Sequence, residues 1–193
     1  MVTSTRTPWR DQWNIANAIT TVRIVVVPFF AWALLVDGGG STTWRWVAAA
    51  LFALAASTDK LDGYLARKNG LVTDLGKLLD PIADKALIGT ALVGLSIVGD
   101  LWWWVTALVL VRELGITVMR FAMLQRVVLP ASRGGKIKTV LQSFALAVLL
   151  TPTWTMPGWV WTVGVVLMVA AVVVTIVTGV DYVVRALLAR RRR

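Results

Sequence analysis

Five aspartates fall inside one stretch of 26 residues: Asp59, Asp62, Asp74, Asp80 and Asp84. Asp59 and Asp62 are three apart, and Asp80 and Asp84 are four apart, so on helices each pair shares a face. Asn69-Gly70 lies between the pairs and is a good helix terminator. Asp59 and Asp62 lie eleven and eight residues before Gly70; Asp80 and Asp84 lie ten and fourteen after it. At about 1.5 Å per residue, all four sit roughly 12–21 Å from the turn. Two antiparallel helices would bring them to similar depth. Oxygen ligands without His or Cys suit a hard divalent cation such as Mg²⁺ or Mn²⁺. Two such ions would balance four carboxylates, a device suited to phosphoryl chemistry. Pairing with Lys60, Lys77, Lys85 and Arg67 accounts for any one Asp more easily than for all four. Asp74 follows Thr73 at a helix start, where a carboxylate favours the N-terminal dipole, and it reads as structural.

The surrounding chain makes this cluster costly. It has 193 residues, 58% of them hydrophobic, with a mean hydropathy of +0.73. Several apolar runs approach the roughly 20 residues that cross a bilayer. An ionised carboxylate near mid-bilayer costs about 2.5–3.5 kcal/mol, so four cost on the order of 10. The composition has no Cys and no His. Disulfide and thiolate chemistry are excluded, and any proton transfer must use a group other than imidazole.

Six spans fit: about Ile15 to Val36, Thr42 to Lys68, Thr73 to Val98, Leu101 to Arg126, Gly135 to Leu150, and Trp159 to Leu188. The net charge is +10, and its distribution is uneven. Arg6 and Arg10, then Arg67 and Lys68, then Arg126, Arg133, Lys136 and Lys138, then Arg190 to Arg193 mark one side. The other connections carry Trp44 and Trp46, Trp102 to Trp104, and Trp154, Trp159 and Trp161, with only Arg45 near them. Basic ends inside and an aromatic belt outside predict both termini in the cytoplasm. The predicted organisation is an all-α membrane protein: an N-terminal interfacial amphipathic segment at 1–14, a six-helix domain at 15–188, and a basic cytoplasmic tail at 189–193. The N-terminus does not resemble a cleavable signal, and no internal repeat stands out.

Other residues qualify the picture. Gly63 and Gly76 flank the aspartates and serve either close approach of a ligand or small-residue helix packing. Pro81 is expected to kink the third helix. Asn17, Thr20 and Arg23 form a polar stripe that either lines a pocket or makes interhelical hydrogen bonds. Arg112 and Arg120 are eight apart, near one face of the fourth span, and Arg133, Lys136 and Lys138 open the fifth. That set suits a phosphate-bearing acceptor, with Glu113 orienting Arg112. Arg126 and the terminal Arg run read as topology signals.

Asp59-x2-Asp62-Gly63-x2-Ala66-Arg67-x8-Gly76-x3-Asp80-x3-Asp84 resembles the complete signature of the CDP-alcohol phosphotransferases. "NIANAITTVRIVVVPFF", "VRELGITVMR" and "GGKIKT" are similar to segments of that family's phosphatidylglycerophosphate synthases. The resemblance implies a six-span enzyme, usually a homodimer, with no nucleic-acid partner. It would move the phosphatidyl group of CDP-diacylglycerol to glycerol 3-phosphate and release CMP, with its active site on the cytoplasmic side of the plasma membrane. It implies that Asp59, Asp62, Asp80 and Asp84 hold two Mg²⁺ or Mn²⁺ ions and that Asp84 is the general base. It also implies that Gly63, Ala66, Arg67 and Gly76 shape the CDP pocket, which Asn17 and Thr20 line. Rival acceptors are inositol 1-phosphate and phosphatidylglycerol. A divalent-cation transporter is the rival of another class; it requires acidic residues along a path that spans one, five and six do not supply at mid-depth.

Overall fold

The computed structural model describes residues 15–68, 74–123 and 133–191, with side chains at 17–58, 76, 79–119, 135, 137–182 and 184. The predicted interfacial segment at 1–14 lies outside the described residues. Among the described residues six α-helices follow one another: α1 (Ile15–Leu35), α2 (Thr42–Lys68), α3 (Asp74–Ile97), α4 (Trp103–Met123), α5 (Arg133–Leu149) and α6 (Gly158–Arg191). No strand occurs among the described residues. The all-helical expectation holds, and these helix limits lie within three residues of the expected spans. Helix α3 continues through Pro81. Pro28 is likewise accommodated inside α1.

The chain divides into two compact units, Met1–Ala91 and Leu92–Arg193. In the first, α1 and α2 pack as a hairpin. The reversal uses a 3-10 turn at Val36–Gly39, in which Asp37, Gly38 and Gly39 adopt positive φ of 53°, 63° and 79°. Glycine tolerates that region because it lacks a Cβ, and Asp is among the few other residues that do. Phe30, Ala33 and Leu34 of α1 and Ala48, Phe52 and Ala55 of α2 are buried. The rings of Phe30 and Phe52 lie 5.9 Å apart. On α3, Ala83, Leu87 and Ala91 repeat at four-residue spacing and are also buried.

In the second unit α6 packs along α5 and also touches α4. Gly164 of α6 makes the first contact close: a Cβ there would lie 2.8 Å from Leu149 Cδ2. Ala145, Leu146 and Leu149 of α5 and Met168, Ala171 and Val172 of α6 are buried. The hydroxyls of Ser96 and Thr106 share a 2.7 Å hydrogen bond, and Thr106 also donates to the Leu92 carbonyl.

The outer faces are apolar. Val22, Val25, Phe29 and Trp32 on α1 are exposed, as are Val166, Val169, Val173 and Val177 on α6. Asn17–Gly39 and Gly158–Tyr182 are long and apolar enough to cross a membrane, yet only 28% of each is buried within the protein. A core helix of a soluble protein hides such a surface; here it is turned outward, where hydrocarbon is the compatible solvent.

Candidate active site

In the first unit, the polar stripe of α1 points inward. Asn17, Thr20 and Arg23 are 2%, 1% and 2% exposed. Spacing of three keeps them on one face while Val22, Val25 and Phe29 take the opposite one. The Thr20 hydroxyl donates a 2.8 Å hydrogen bond to Oδ1 of Asp80 on α3. The hydroxyl of adjacent Thr21 instead folds back onto the Asn17 carbonyl at 2.8 Å. Asp84 lies one turn beyond Asp80, and both are half-buried; Gly76, one turn before Asp80, is buried.

Asp59, Asp62, Gly63, Ala66 and Arg67 lie on α2 at the expected spacing, but their side chains are outside the described residues. Among the described residues no group of three or more metal ligands occurs. The Asp80–Asp84 half of the proposed centre does fit a hard cation. Its donors are all oxygen, two carboxylates share one helix face, and a neutral hydroxyl fixes the rotation of one of them without neutralising it.

In the second unit, a polar cluster joins three helices. Arg112 and Glu113 come from α4, Lys138 from α5 and Thr178 from α6. Arg112 donates through one terminal nitrogen to Glu113 Oε1 at 2.9 Å and through the other to Thr178 Oγ1 at 2.8 Å. Lys138 Nζ donates to the same Oε1. Side-chain exposure is 5% for Lys138, 17% for Arg112 and 27% for Glu113. The Thr178 hydroxyl donates to the Val174 carbonyl at 2.7 Å, which leaves its lone pairs for Arg112. Gly179 lets the arginine stem cross α6: a Cβ there would stand 3.4 Å from Arg112 Cγ. Two buried donors, Arg112 Nε and Gln142 Nε2, have no hydrogen-bond partner among the described residues. Beside the cluster an apolar groove of about 710 Å³ runs between α4 and α6, with Arg112 the one charged residue among its described lining.

Of the cations expected to bind an acceptor phosphate, Arg112 and Lys138 are thus brought together; the side chains of Arg120, Arg133 and Lys136 lie outside the described residues. Sequence reasoning passed over Thr178 and Gln142. Thr175, Thr178 and Asp181 interrupt an otherwise apolar span at intervals of three, which was the available signal. Gln142 lies one turn after Lys138 and shares its face, an equally readable pattern.

A helical, outwardly apolar protein with a carboxylate helix face in one unit and a cation pair in the other has the parts of a membrane enzyme acting on phosphorylated substrates. The chain belongs to the CDP-alcohol phosphatidyltransferase family, whose model matches residues 13–177. Enzymes of this family are membrane-embedded and generally use divalent metal ions. Among its relatives is a protein of Mycobacterium tuberculosis named probable phosphatidylglycerophosphate synthase, 52% identical over 174 residues, which span 90% of this chain and 82% of the relative. A CDP-diacylglycerol–glycerol-3-phosphate 3-phosphatidyltransferase of Rickettsia felis is 38% identical over 172 residues, 88% of this chain and 93% of the relative. A protein of the same name from Shigella flexneri is 38% identical over 180 residues, 89% of this chain and 93% of the relative. Family membership sets aside the transporter reading.

Proposed function

We propose that this protein transfers the phosphatidyl group of CDP-diacylglycerol to glycerol 3-phosphate, giving phosphatidylglycerol phosphate and CMP. The observation that carries the acceptor is the meeting of Arg112 and Lys138 on one carboxylate oxygen. It is supported by the names of relatives 38–52% identical to this chain. A phosphate monoester carries about −1.5 to −2 charge and needs such a pair.

The donor site is assigned to the other unit. Asp80 and Asp84, with Asp59 and Asp62 of α2, would hold two Mg²⁺ or Mn²⁺ ions, which when bound would supply charge neutralisation for the donor's pyrophosphate and for the departing CMP. Gly63, Ala66, Arg67 and Gly76 shape the CDP pocket, and Asn17 and Thr20 line it. Thr20 sets the carboxylate plane of Asp80. The acceptor hydroxyl attacks the lipid-side phosphorus in line; the new P–O bond forms as the bond to CMP breaks. The hydroxyl proton passes to the Asp84 carboxylate, since the chain has no histidine. Arg120, Arg133 and Lys136 add to the acceptor's cationic surround. The bundle is assigned six spans in the plasma membrane, residues 15–188, with residues 1–14 on the membrane surface, the tail 189–193, both termini and the site cytoplasmic, and a homodimeric assembly.

The test is CMP release by purified protein given CDP-diacylglycerol, Mg²⁺ and a panel of alcohols. Glycerol 3-phosphate should be the efficient acceptor. Faster release with inositol 1-phosphate would reassign the acceptor.

A further inference from the structure

We infer that Glu113 is a resident stand-in for the acceptor's phosphate: it holds the cation pair while the site is empty and is displaced when the phosphorylated alcohol binds. This rests on the proposed phosphate role of Arg112 and Lys138.

A buried lysine beside a half-buried arginine would be costly without a counter-charge in a membrane-embedded helical protein. Glu113 meets that cost by accepting both Arg112 and Lys138 on one oxygen, Oε1. The order of exposure gives the direction of access. Lys138 is 5% exposed, Arg112 17% and Glu113 27%, so the carboxylate is the most accessible member and the cations lie deeper.

The cluster is also richer in donors than one carboxylate requires. Arg112 Nε is buried without a hydrogen-bond partner among the described residues. A phosphate monoester offers three strong acceptor oxygens and about twice the charge of a carboxylate, so it matches this donor set better than Glu113 does. The arginine need not move in the exchange. Thr178, whose own proton is committed to Val174, holds the second guanidinium nitrogen at 2.8 Å independently of Glu113. Arg112 and Glu113 are adjacent in sequence and project in different directions from α4, so the carboxylate can swing away while the guanidinium stays.

Displacement makes Glu113 a competitor of the substrate, and this sets its sign apart from that of a permanent clamp. Glu113→Gln removes the competing charge at nearly constant shape. Its KM for glycerol 3-phosphate should fall on the order of threefold to tenfold, by more than kcat changes, and inorganic phosphate should become a stronger competitive inhibitor by a similar factor. Glu113→Asp, which keeps the charge but shortens its reach, should shift both in the same direction by less. If the Gln variant fails to fold, the Asp variant decides. A KM that rises or stays constant in the folded variant overturns the displacement. Arg112→Gln and Lys138→Gln test the underlying reading separately: each should raise the KM for glycerol 3-phosphate at least tenfold and leave that for CDP-diacylglycerol nearly constant. If neither does, the acceptor site itself is misassigned, whatever Glu113→Gln shows.

Discussion

Thr20 on α1 donates its hydroxyl proton to Asp80 on α3 across 60 residues of sequence, at 2.8 Å. Thr20 is 1% exposed. Its bond leaves the Asp80 charge intact and fixes the plane in which that charge is presented. Hydrogen bonds to a charged group contribute about 1.5–3 kcal/mol net, and an outer-shell partner of a metal ligand contributes about 10–100-fold in affinity or activity.

Thr20→Val keeps the shape and removes the donor. CMP release at limiting Mg²⁺ should fall about 10–100-fold, and the Mg²⁺ concentration for half-maximal rate should rise. Thr21→Val is the matched control, because the Thr21 hydroxyl serves only its own helix; its rate should change less than about twofold. Equal rates for the two variants would dissociate Thr20 from the metal centre.

Asp84→Asn removes the carboxylate proposed as the proton acceptor in a chain without histidine. A positioned general base contributes about 10²–10⁴-fold, so single-turnover CMP release should fall by at least that factor. Helical content by circular dichroism should be unchanged. A near-normal rate at saturating Mg²⁺ would move the base elsewhere.

A chelator in excess should stop CMP release completely, and Mg²⁺ or Mn²⁺ should restore it. Oxygen donors prefer these ions over softer ones. Restoration by Zn²⁺ alone, or full activity in the chelator, would contradict an all-carboxylate centre.

Much of this was legible in the residues. The four-apart spacing of Asp80 and Asp84 gave their shared face, because it depends on local helix geometry; Asn69-Gly70, expected to end the second helix, lies outside the described residues. The inward turn of Asn17, Thr20 and Arg23 followed from their spacing, but the choice of partner did not: the bond to Asp80 is a tertiary contact that no local pattern encodes. The same holds for Glu113. Its adjacency to Arg112 was visible, whereas the approach of Lys138 from α5 to the same oxygen depends on how α5 packs. Pro81, expected to kink α3, stands inside the helix.

Two glycines give opposite predictions for stability, and together they test the packing of the second unit. A Cβ on Gly164 would come within 2.8 Å of Leu149 Cδ2 and 3.2 Å of Val148 Cγ1, while one on Gly115 meets nothing within 4 Å. Leu149 is 1% exposed, so it has little room to yield. Gly164→Val should therefore overpack the α5–α6 seam at a cost of about 1–3 kcal/mol. For a domain of this size that corresponds to a fall of roughly 2–4 °C in thermal midpoint per kcal/mol. Gly115→Ala adds no clash and improves helix propensity by up to about 1 kcal/mol, so its midpoint should hold or rise. Fluorescence-monitored melting of both variants in the same detergent separates the cases. If Gly164→Val melts no lower than the parent, α5 and α6 are not in the close contact that Gly164 and Leu149 make.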